Sequence, residues 1–163
     1  MTNMKNTKSL FPSALIMLAL AFGFVSCKEE DPFLDRNVAP VLVDIVGAPF
    51  GAPIASEPTV TYAATAEKLT LSARLLELDK TNILDHTKGI DSIPVPNLSI
   101  KITLRTGAVL GEVTSDAQGV VKLEKTWADL GITAPKAGSI TKISWSGSHK
   151  GIAFTRFSQV QAN

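Results

Sequence analysis

The chain has 163 residues, which is enough for one compact domain with a buried core. Its 16 Lys and Arg residues nearly balance its 15 Asp and Glu residues, and this balance excludes the basic face of a nucleic-acid-binding protein. The single cysteine, Cys27, excludes a disulfide within the chain, so the burial of apolar side chains has to stabilise the fold.

The first 26 residues contain the parts of a secretory signal peptide in their usual order. Lys5 and Lys8 form a positive start, and the apolar segment 10–25 follows them. This segment is shorter than the roughly 20 apolar residues of a spanning helix, and it ends beside the small residue Ser26. We therefore predict a cleaved signal peptide over 1–26. The alternative is an uncleaved membrane anchor.

Residues 24–27, Phe-Val-Ser-Cys, resemble the lipobox that signal peptidase II cuts before an invariant cysteine. The resemblance implies that Cys27 begins the mature protein and carries a diacylglycerol through a thioether. Two or three acyl chains hold a protein firmly on a bilayer, because each buried methylene contributes about 0.8 kcal/mol. We expect the mature protein to be anchored to a membrane through Cys27.

Four charged residues, Lys28, Glu29, Glu30 and Asp31, follow the cysteine directly. The run is similar to the lysine-then-acids export signal found at the same position in surface lipoproteins of one large group of Gram-negative bacteria. The resemblance implies an outer-membrane lipoprotein exposed on the cell surface. In the alternative interpretation the run is only a solvated tether, and the protein stays on the periplasmic leaflet.

Segment 27–58 contains five prolines. Since proline fixes φ and cannot donate to a β-ladder, we predict that most of this segment is an extended tether. Residues 41–46, Val-Leu-Val-Asp-Ile-Val, are rich in β-branched side chains and could form a first edge strand within it. The folded domain is predicted over 59–163.

Apolar residues recur at every second position in this domain, which is the period of half-buried strands. The pattern is clearest over 69–75 and 98–104. Further apolar runs lie at 109–113, 120–123, 140–145 and 152–157. A single helical turn is predicted at 126–131, as a short crossover between strands. Because no long amphipathic helix is present, the pattern favours an all-β, antiparallel sandwich or barrel.

Two segments, 93–104 and 114–120, resemble the P-V-x-N-x-x-V-x-L … T-x-D-A-x-G-V pattern of bacterial immunoglobulin-like domains, the modules of invasin-type and other cell-surface proteins. The resemblance covers about residues 68–124 and implies an antiparallel immunoglobulin-like β-sandwich. In the second segment we expect a hairpin, in which Asp116 bonds to amides of the turn and Gly119 takes a positive φ.

The loop at 79–91 is longer than the few residues that usually join strands in such domains, and long loops often carry binding groups. Asp79, Asn82, Asp85 and Asp91 offer the hard oxygen ligands that calcium prefers. Their spacing matches no EF-hand, so we expect a solvated loop. We expect no cofactor, and whether this loop binds a metal stays open.

The sequence offers little for catalysis. His86 and His149 have no companion at a zinc spacing, and we expect both to be exposed loop residues. Segment 146–149, Ser-Gly-Ser-His, puts a hydroxyl beside an imidazole, but Gly147 lies between two apolar runs and indicates a hairpin turn. We therefore expect a non-enzymatic protein. A hydrolase that depends on His149 is the less favoured hypothesis.

The favoured function is that of a surface lipoprotein that acts in binding or adhesion, or as a structural component of a cell-envelope assembly. Its partners would be the membrane, through the lipid anchor, and a protein or glycan at the cell surface. The alternative is an accessory glycan-binding lipoprotein of a nutrient-uptake system, which would stack sugars on exposed aromatic rings. The candidate rings are Trp127, Trp145, Phe154, Phe157 and Tyr62. Burial of both tryptophans would count against it.

Overall fold

The computed structural model describes residues 39–50, 53 and 55–163. The predicted signal peptide, Cys27 and the charged run 28–31 lie outside the described residues. The described part is all-β, and its strands form two open sheets in a sandwich-like arrangement. The strands are β1 (Leu42–Ile45), β2 (Thr59–Tyr62), β3 (Leu69–Asp79), β4 (Asp91–Pro94), β5 (Ser99–Leu104), β6 (Val109–Thr114), β7 (Val120–Lys125), β8 (Ile140–His149) and β9 (Ile152–Ala162).

Sheet A is built around the long strand β3. The strand β1 pairs antiparallel with one edge of β3, as the prediction of a first edge strand requires. The other edge is shared end to end by β7 and β4. At Leu75 the strand that pairs with this edge changes from β7 to β4. The Leu75 N–H donates to the carbonyl oxygen of Gly119 at 2.8 Å, and the Leu75 carbonyl oxygen accepts from the N–H of Val95 at 2.9 Å.

Sheet B has the order β2-β9-β8-β5-β6. Its pairs are antiparallel except for β2 and β9, which run parallel. The expected purely antiparallel arrangement is wrong at this pair. A hairpin forces its two strands to be antiparallel, but β2 and β9 are separated by about 100 residues, so no turn fixes their relative direction.

The core lies between the two sheets and confirms the alternation seen in the sequence. In β3, Leu69, Leu71, Ala73 and Leu75 are buried, while Thr70 between them is exposed. The buried side chains of β5 and β8 belong to the same apolar cluster. Burial of a Leu or Ile side chain contributes about 1.5–3 kcal/mol, so this cluster is the main source of stability in a domain without disulfides.

The turn at 115–119 joins β6 of sheet B to β7 of sheet A, and the predicted hairpin is therefore wrong. The local chemistry is nevertheless as expected. Asp116 Oδ1 accepts from the N–H groups of Gln118 at 2.9 Å and Val120 at 2.8 Å, and Gly119 has a φ of 73°. These local bonds are the same whether the next strand pairs with the previous one or crosses to the opposite sheet.

Ser115 connects the two segments that carry the immunoglobulin-like pattern. Its buried hydroxyl donates to the carbonyl oxygen of Val95 at 2.7 Å and accepts from the N–H of Leu98 at 2.9 Å. Its own backbone exchanges hydrogen bonds with Leu98 and Asn97, each of 3.0 Å. The two segments are separated by nine residues and form one hydrogen-bonded unit.

Segment 146–149 lies inside β8, so its interpretation as a hairpin turn is wrong. The turn between β8 and β9 consists of Lys150 and Gly151, whose φ values of 51° and 79° fit a two-residue type I′ turn. Gly147 is required for packing instead. A Cβ at this position would lie 2.8 Å from Ile100 Cδ1 and 2.9 Å from Phe154 Cζ.

The predicted turn at 126–131 is present and joins sheet A to sheet B. Thr126 and Asp129 bond reciprocally at its start, since the Thr126 N–H donates to Asp129 Oδ2 and the Asp129 N–H donates to the Thr126 hydroxyl. Gly131, with a φ of 80°, ends the turn. Within the described part of the chain, no helix is long and apolar enough to cross a membrane.

Replacing Gly119 by alanine is expected to destabilise the domain by about 3 kcal/mol or more, because strain at a positive φ and a forced backbone shift each cost roughly 1–3 kcal/mol. The new Cβ would lie 2.5 Å from the Leu75 carbonyl oxygen. The matched control is Gly107→Ala, where φ is 98° but nothing lies within 4 Å of the added atom. Urea denaturation of both variants measures the difference, and equal losses would contradict the proposed clash.

Candidate binding cleft

A cleft of about 420 Å³ opens between the edges of the two sheets, beside β1 and the first half of β9. Its apolar lining includes Val41, Val43 and Phe154, whose side chains also belong to the core. Its polar lining includes Glu77, Lys80, Thr155 and Arg156. The cleft therefore combines an apolar floor with charged groups, as small binding sites in proteins usually do.

The strand β9 forms one wall of the cleft and has an unpaired edge. One edge of β9 pairs with β8 along most of its length. The other edge, which faces the cleft, pairs with β2 over 159–162, and no described strand pairs with this edge over 152–158. The N–H of Gln159 donates toward β2, to the Pro58 carbonyl oxygen at 2.9 Å. Since backbone groups alternate along a strand, those of Ala153, Thr155 and Phe157 face the same open side.

Arg156 is an inward-facing cation in β9. Only 7% of its surface is exposed, and its Nη1 donates to the carbonyl oxygen of Pro53 at 3.0 Å. Burial lowers the pKa of its guanidinium. Two residues further along β9, the buried hydroxyl of Ser158 accepts from Trp145 Nε1 at 2.9 Å. The sequence pattern singles out neither residue as functional, although the period of two from Phe154 places their side chains inside.

One end of the cleft is closed by a polar bridge between the sheets. Glu77 of β3 pairs with Lys150 of the β8–β9 turn, and its Oε2 lies 3.8 Å from His149 Nε2. The hydrogen bond from Lys150, together with the positive charge of Lys150, holds the pKa of Glu77 below its ordinary value. His149 is the last residue of β8, with only 18% of its side chain exposed, so its expected place in an exposed loop is wrong. His86 lies exposed in its loop as expected.

The residues weighed for hydrolysis have separate partners. The hydroxyl of Ser146 lies 3.0 Å from that of Thr155, on the outer face of sheet B. The imidazole of His149 faces Glu77 at the end of the sandwich. The neighbours in the sequence motif therefore form no common site with each other, since successive side chains of a strand point to opposite faces.

The carboxylates of the 79–91 loop bond within their own turns. Asp79 Oδ1 accepts from the N–H and the hydroxyl of Thr81, at 2.9 and 2.5 Å. Asp85 Oδ1 does the same with Thr87, at 3.0 and 2.6 Å. These bonds hold the pKa values of both aspartates below the ordinary range. Within the described ranges, no three His, Cys, Asp or Glu side chains are grouped as a metal site would need.

Three of the five aromatic side chains considered for sugar stacking lie in the core. Trp127 and Trp145 are 4% and 1% exposed, and Phe154 is also buried. The half-buried Tyr62 donates its hydroxyl to the carbonyl oxygen of Thr70 at 2.6 Å. Phe157 is exposed, but the guanidinium of Arg105 covers one face of its ring at 3.8 Å. No sugar-stacking platform can therefore include the two tryptophans.

Glu57 fastens the segment before β2 to the outer face of sheet B. Its carboxylate lies 2.8 Å from Arg105 and 3.0 Å from Lys142, and it accepts from the side-chain amide of Gln159 at 2.9 Å. The hydrogen bonds from Gln159 and Lys142 lower the pKa of Glu57 from 4.5 to about 2. This network holds in place the segment whose Pro53 carbonyl oxygen contacts the cleft residue Arg156.

The stabilisation from Glu57 is expected to depend on pH in a defined window. Since its folded-state pKa of about 2 lies below the ordinary value of 4.5, the contribution is complete above pH 4.5 and is lost as the pH falls toward 2. Glu57→Gln should lower the urea midpoint at pH 7, and its difference from the wild type should shrink between pH 4.5 and 2. The control is Glu67→Gln at an exposed position. A difference that is constant with pH would contradict the assignment.

A comparison of the chain with models of protein families, with curated proteins and with solved structures gives no match. No relative therefore indicates a ligand, a partner or a reaction for this protein. The function has to be inferred from the cleft, the open edge of β9 and the residues that line them.

Proposed function

We propose that the protein is a non-enzymatic lipoprotein of the outer membrane, exposed at the cell surface, whose immunoglobulin-like sandwich binds an extended segment of a protein partner. It would act in adhesion or as a component of a cell-envelope assembly. The observation that carries the binding proposal is the open edge of β9 over 152–158, next to an apolar cleft. The anchor rests on the lipobox that ends at Cys27, and surface exposure rests on the charged run 28–31.

An added strand is the ligand that this edge suits best. The backbone groups of Ala153, Thr155 and Phe157 offer donors and acceptors at the spacing of a β-ladder, so an extended chain can pair with them whatever its sequence. Alternate side chains of the added strand would point into the cleft, against Val43 and Phe154. These pockets would supply specificity, while the main-chain hydrogen bonds supply affinity.

The charges beside the edge narrow the choice of partner. The exposed Lys80 lines the cleft, and Glu77, its acidic neighbour there, is already paired with Lys150. A partner segment with an acidic residue flanked by apolar ones would therefore complement this site. A glycan partner is the weaker alternative, because the aromatic rings proposed for stacking are mostly in the core.

The immunoglobulin-like assignment is supported by two features. A central antiparallel strand, β3, faces a second sheet across one core, and the turn at 115–119 crosses between the sheets. Ser115 joins the two pattern-bearing segments through hydrogen bonds to Val95 and Leu98. Such sandwiches serve many purposes, so the fold alone does not carry the binding proposal.

Strand addition can be tested by changing one amide. Thr155→Pro removes an N–H that faces the open side, and proline is tolerated on such edges, so sheet B should still form. A photo-reactive residue at Ala153 is expected to cross-link a protein partner on intact cells, and Thr155→Pro should reduce the yield about tenfold, since a lost hydrogen bond and a steric clash cost together at least 1.4 kcal/mol.

The matched control is Thr155→Val, which keeps the N–H and changes only the side chain on the outer face of sheet B. It should leave the yield unchanged. A photo-reactive residue at Lys101, exposed on the same outer face, should not capture the partner. Equal loss in both Thr155 variants, with circular dichroism and urea midpoints unchanged, would show that the partner reads the side-chain face rather than the strand edge.

The anchor and its location form a separate prediction. Mass spectrometry should find a mature chain that begins at Cys27 and carries acyl groups, and protease added to intact cells should remove the domain. Replacing residues 28–31 by alanine should protect the domain from the protease without removing the lipid. A chain that retains residues 1–26, or a wild type that is never accessible from outside, would overturn this part of the proposal.

A further inference from the structure

We infer that one end of the sandwich rests on the lipid bilayer, with the exposed side chains of Ile83 and Leu84 inserted among the lipids. We call it the proximal end, and define it by Ala39, the 80–90 loop and the turn residues Lys150 and Gly151. The inference rests on the proposed lipidation of Cys27, and it adds a second contact with the membrane and an orientation for the cleft.

The register of β1 places the start of the described chain at this end. Leu42 pairs with Leu76, and continuing the antiparallel register by three residues puts Ala39 beside Asp79, where the loop begins. Ala39 and Lys80 accordingly line the same cleft. The ion pair between Glu77 and Lys150 brings the β8–β9 turn to the same end.

Large apolar side chains are exposed on this end. Leu84 is 98% exposed and Ile83 beside it is 56% exposed, both in the loop. Ile90, Ile93 and Ile152 are exposed at the loop's end, in β4 and at the start of β9. Exposed apolar residues such as Val109 and Ile140 also lie toward the opposite end, but at the proximal end the group adjoins the point where the chain leads to the proposed anchor.

The length of the tether makes the bilayer the occupant of this surface. Residues 28–38 separate Cys27 from Ala39. Eleven residues span at most about 40 Å when fully extended, so Ala39 lies within that distance of the proposed lipid anchor. The 11 residues of β3 alone span about 35 Å, so the proximal end is the end of the sandwich that the anchor can bring to the lipid most readily.

The charges around the loop suit an interfacial position. Lys88 and Lys150 have 61% and 66% of their side chains exposed, and such side chains can extend toward lipid headgroups while apolar neighbours enter the acyl region. Asp79, Asp85 and Asp91 offset these charges, so the contact should depend on apolar insertion and only weakly on salt.

The test uses the lipidated full chain in vesicles of phosphatidylethanolamine and phosphatidylglycerol. Because Cys27 is the only cysteine and its sulfur is bonded to lipid, Leu84→Cys supplies a single free thiol for a polarity-sensitive fluorophore. Val109→Cys, exposed at the opposite end of the sandwich, is the matched control. We expect the label at 84 to shift to the blue and to lose most of its emission when nitroxide-labelled lipid is included, while the label at 109 stays unquenched.

Three results would overturn the inference, and they have different meanings. If the protein floats with the vesicles but the two labels are quenched equally, the anchor holds and the proximal end is not on the lipid. If the blue shift at 84 follows protein concentration in the absence of vesicles, the surface binds a second copy of the chain. If position 27 itself reacts with the label and the protein does not float, the proposed lipoprotein fails first and the inference fails with it.

Discussion

The fold depends on one exchange of backbone hydrogen bonds at Leu75. Its N–H donates to the carbonyl oxygen of Gly119 in the crossing turn, and its carbonyl oxygen accepts from the N–H of Val95, so one residue of β3 bonds to two of the segments that cross between the sheets. No side chain fits in this space, since a Cβ on Gly119 would overlap the Leu75 carbonyl oxygen. The close approach of Gly119 to Leu75 allows β7 and β4 to pair with successive parts of one edge of β3. The sandwich core and the position of Ser115 depend on this arrangement.

The cleft exists because the edge strands β1 and β2 are much shorter than β3 and β9, the strands with which they pair. The short strand β1 covers β3 only over 73–76, and β2 covers β9 only over 159–162. Between them no described strand pairs with this edge of β9, which lies beside apolar side chains of the core. Arg156 lies there with its guanidinium donating to the Pro53 carbonyl oxygen, which helps a buried cation to line the cleft.

The sequence predicted the strands that alternate strongly, β3 and β5, because one face of each is buried against the core. It could not predict β2 and β4, which have four residues each and whose exposed or half-buried side chains leave no period to detect. Nor could it assign β6 and β7 to different sheets, because Asp116 and Gly119 shape the turn in the same way in either case. The sequence did not indicate Arg156 and Ser158, since the inward positions of a strand are expected to be apolar. The cleft is lined by residues of β1, β3 and β9, which are far apart in the chain, so no local pattern could predict it.

The arrangement of β1 has a mechanical consequence. Under the proposed function, a pull transmitted from the lipid anchor to a partner would enter the domain at Ala39 and run along the axis of β1. The hydrogen bonds between β1 and β3 lie across that axis, so they would carry the load together rather than open one after another. The buried carboxylate of Asp44, held by Arg74 at 2.6 and 2.9 Å, ties the same two strands from side to side. A force along the axis of β1 therefore loads all of its hydrogen bonds to β3 in shear. A force perpendicular to that axis would break the same bonds one after another.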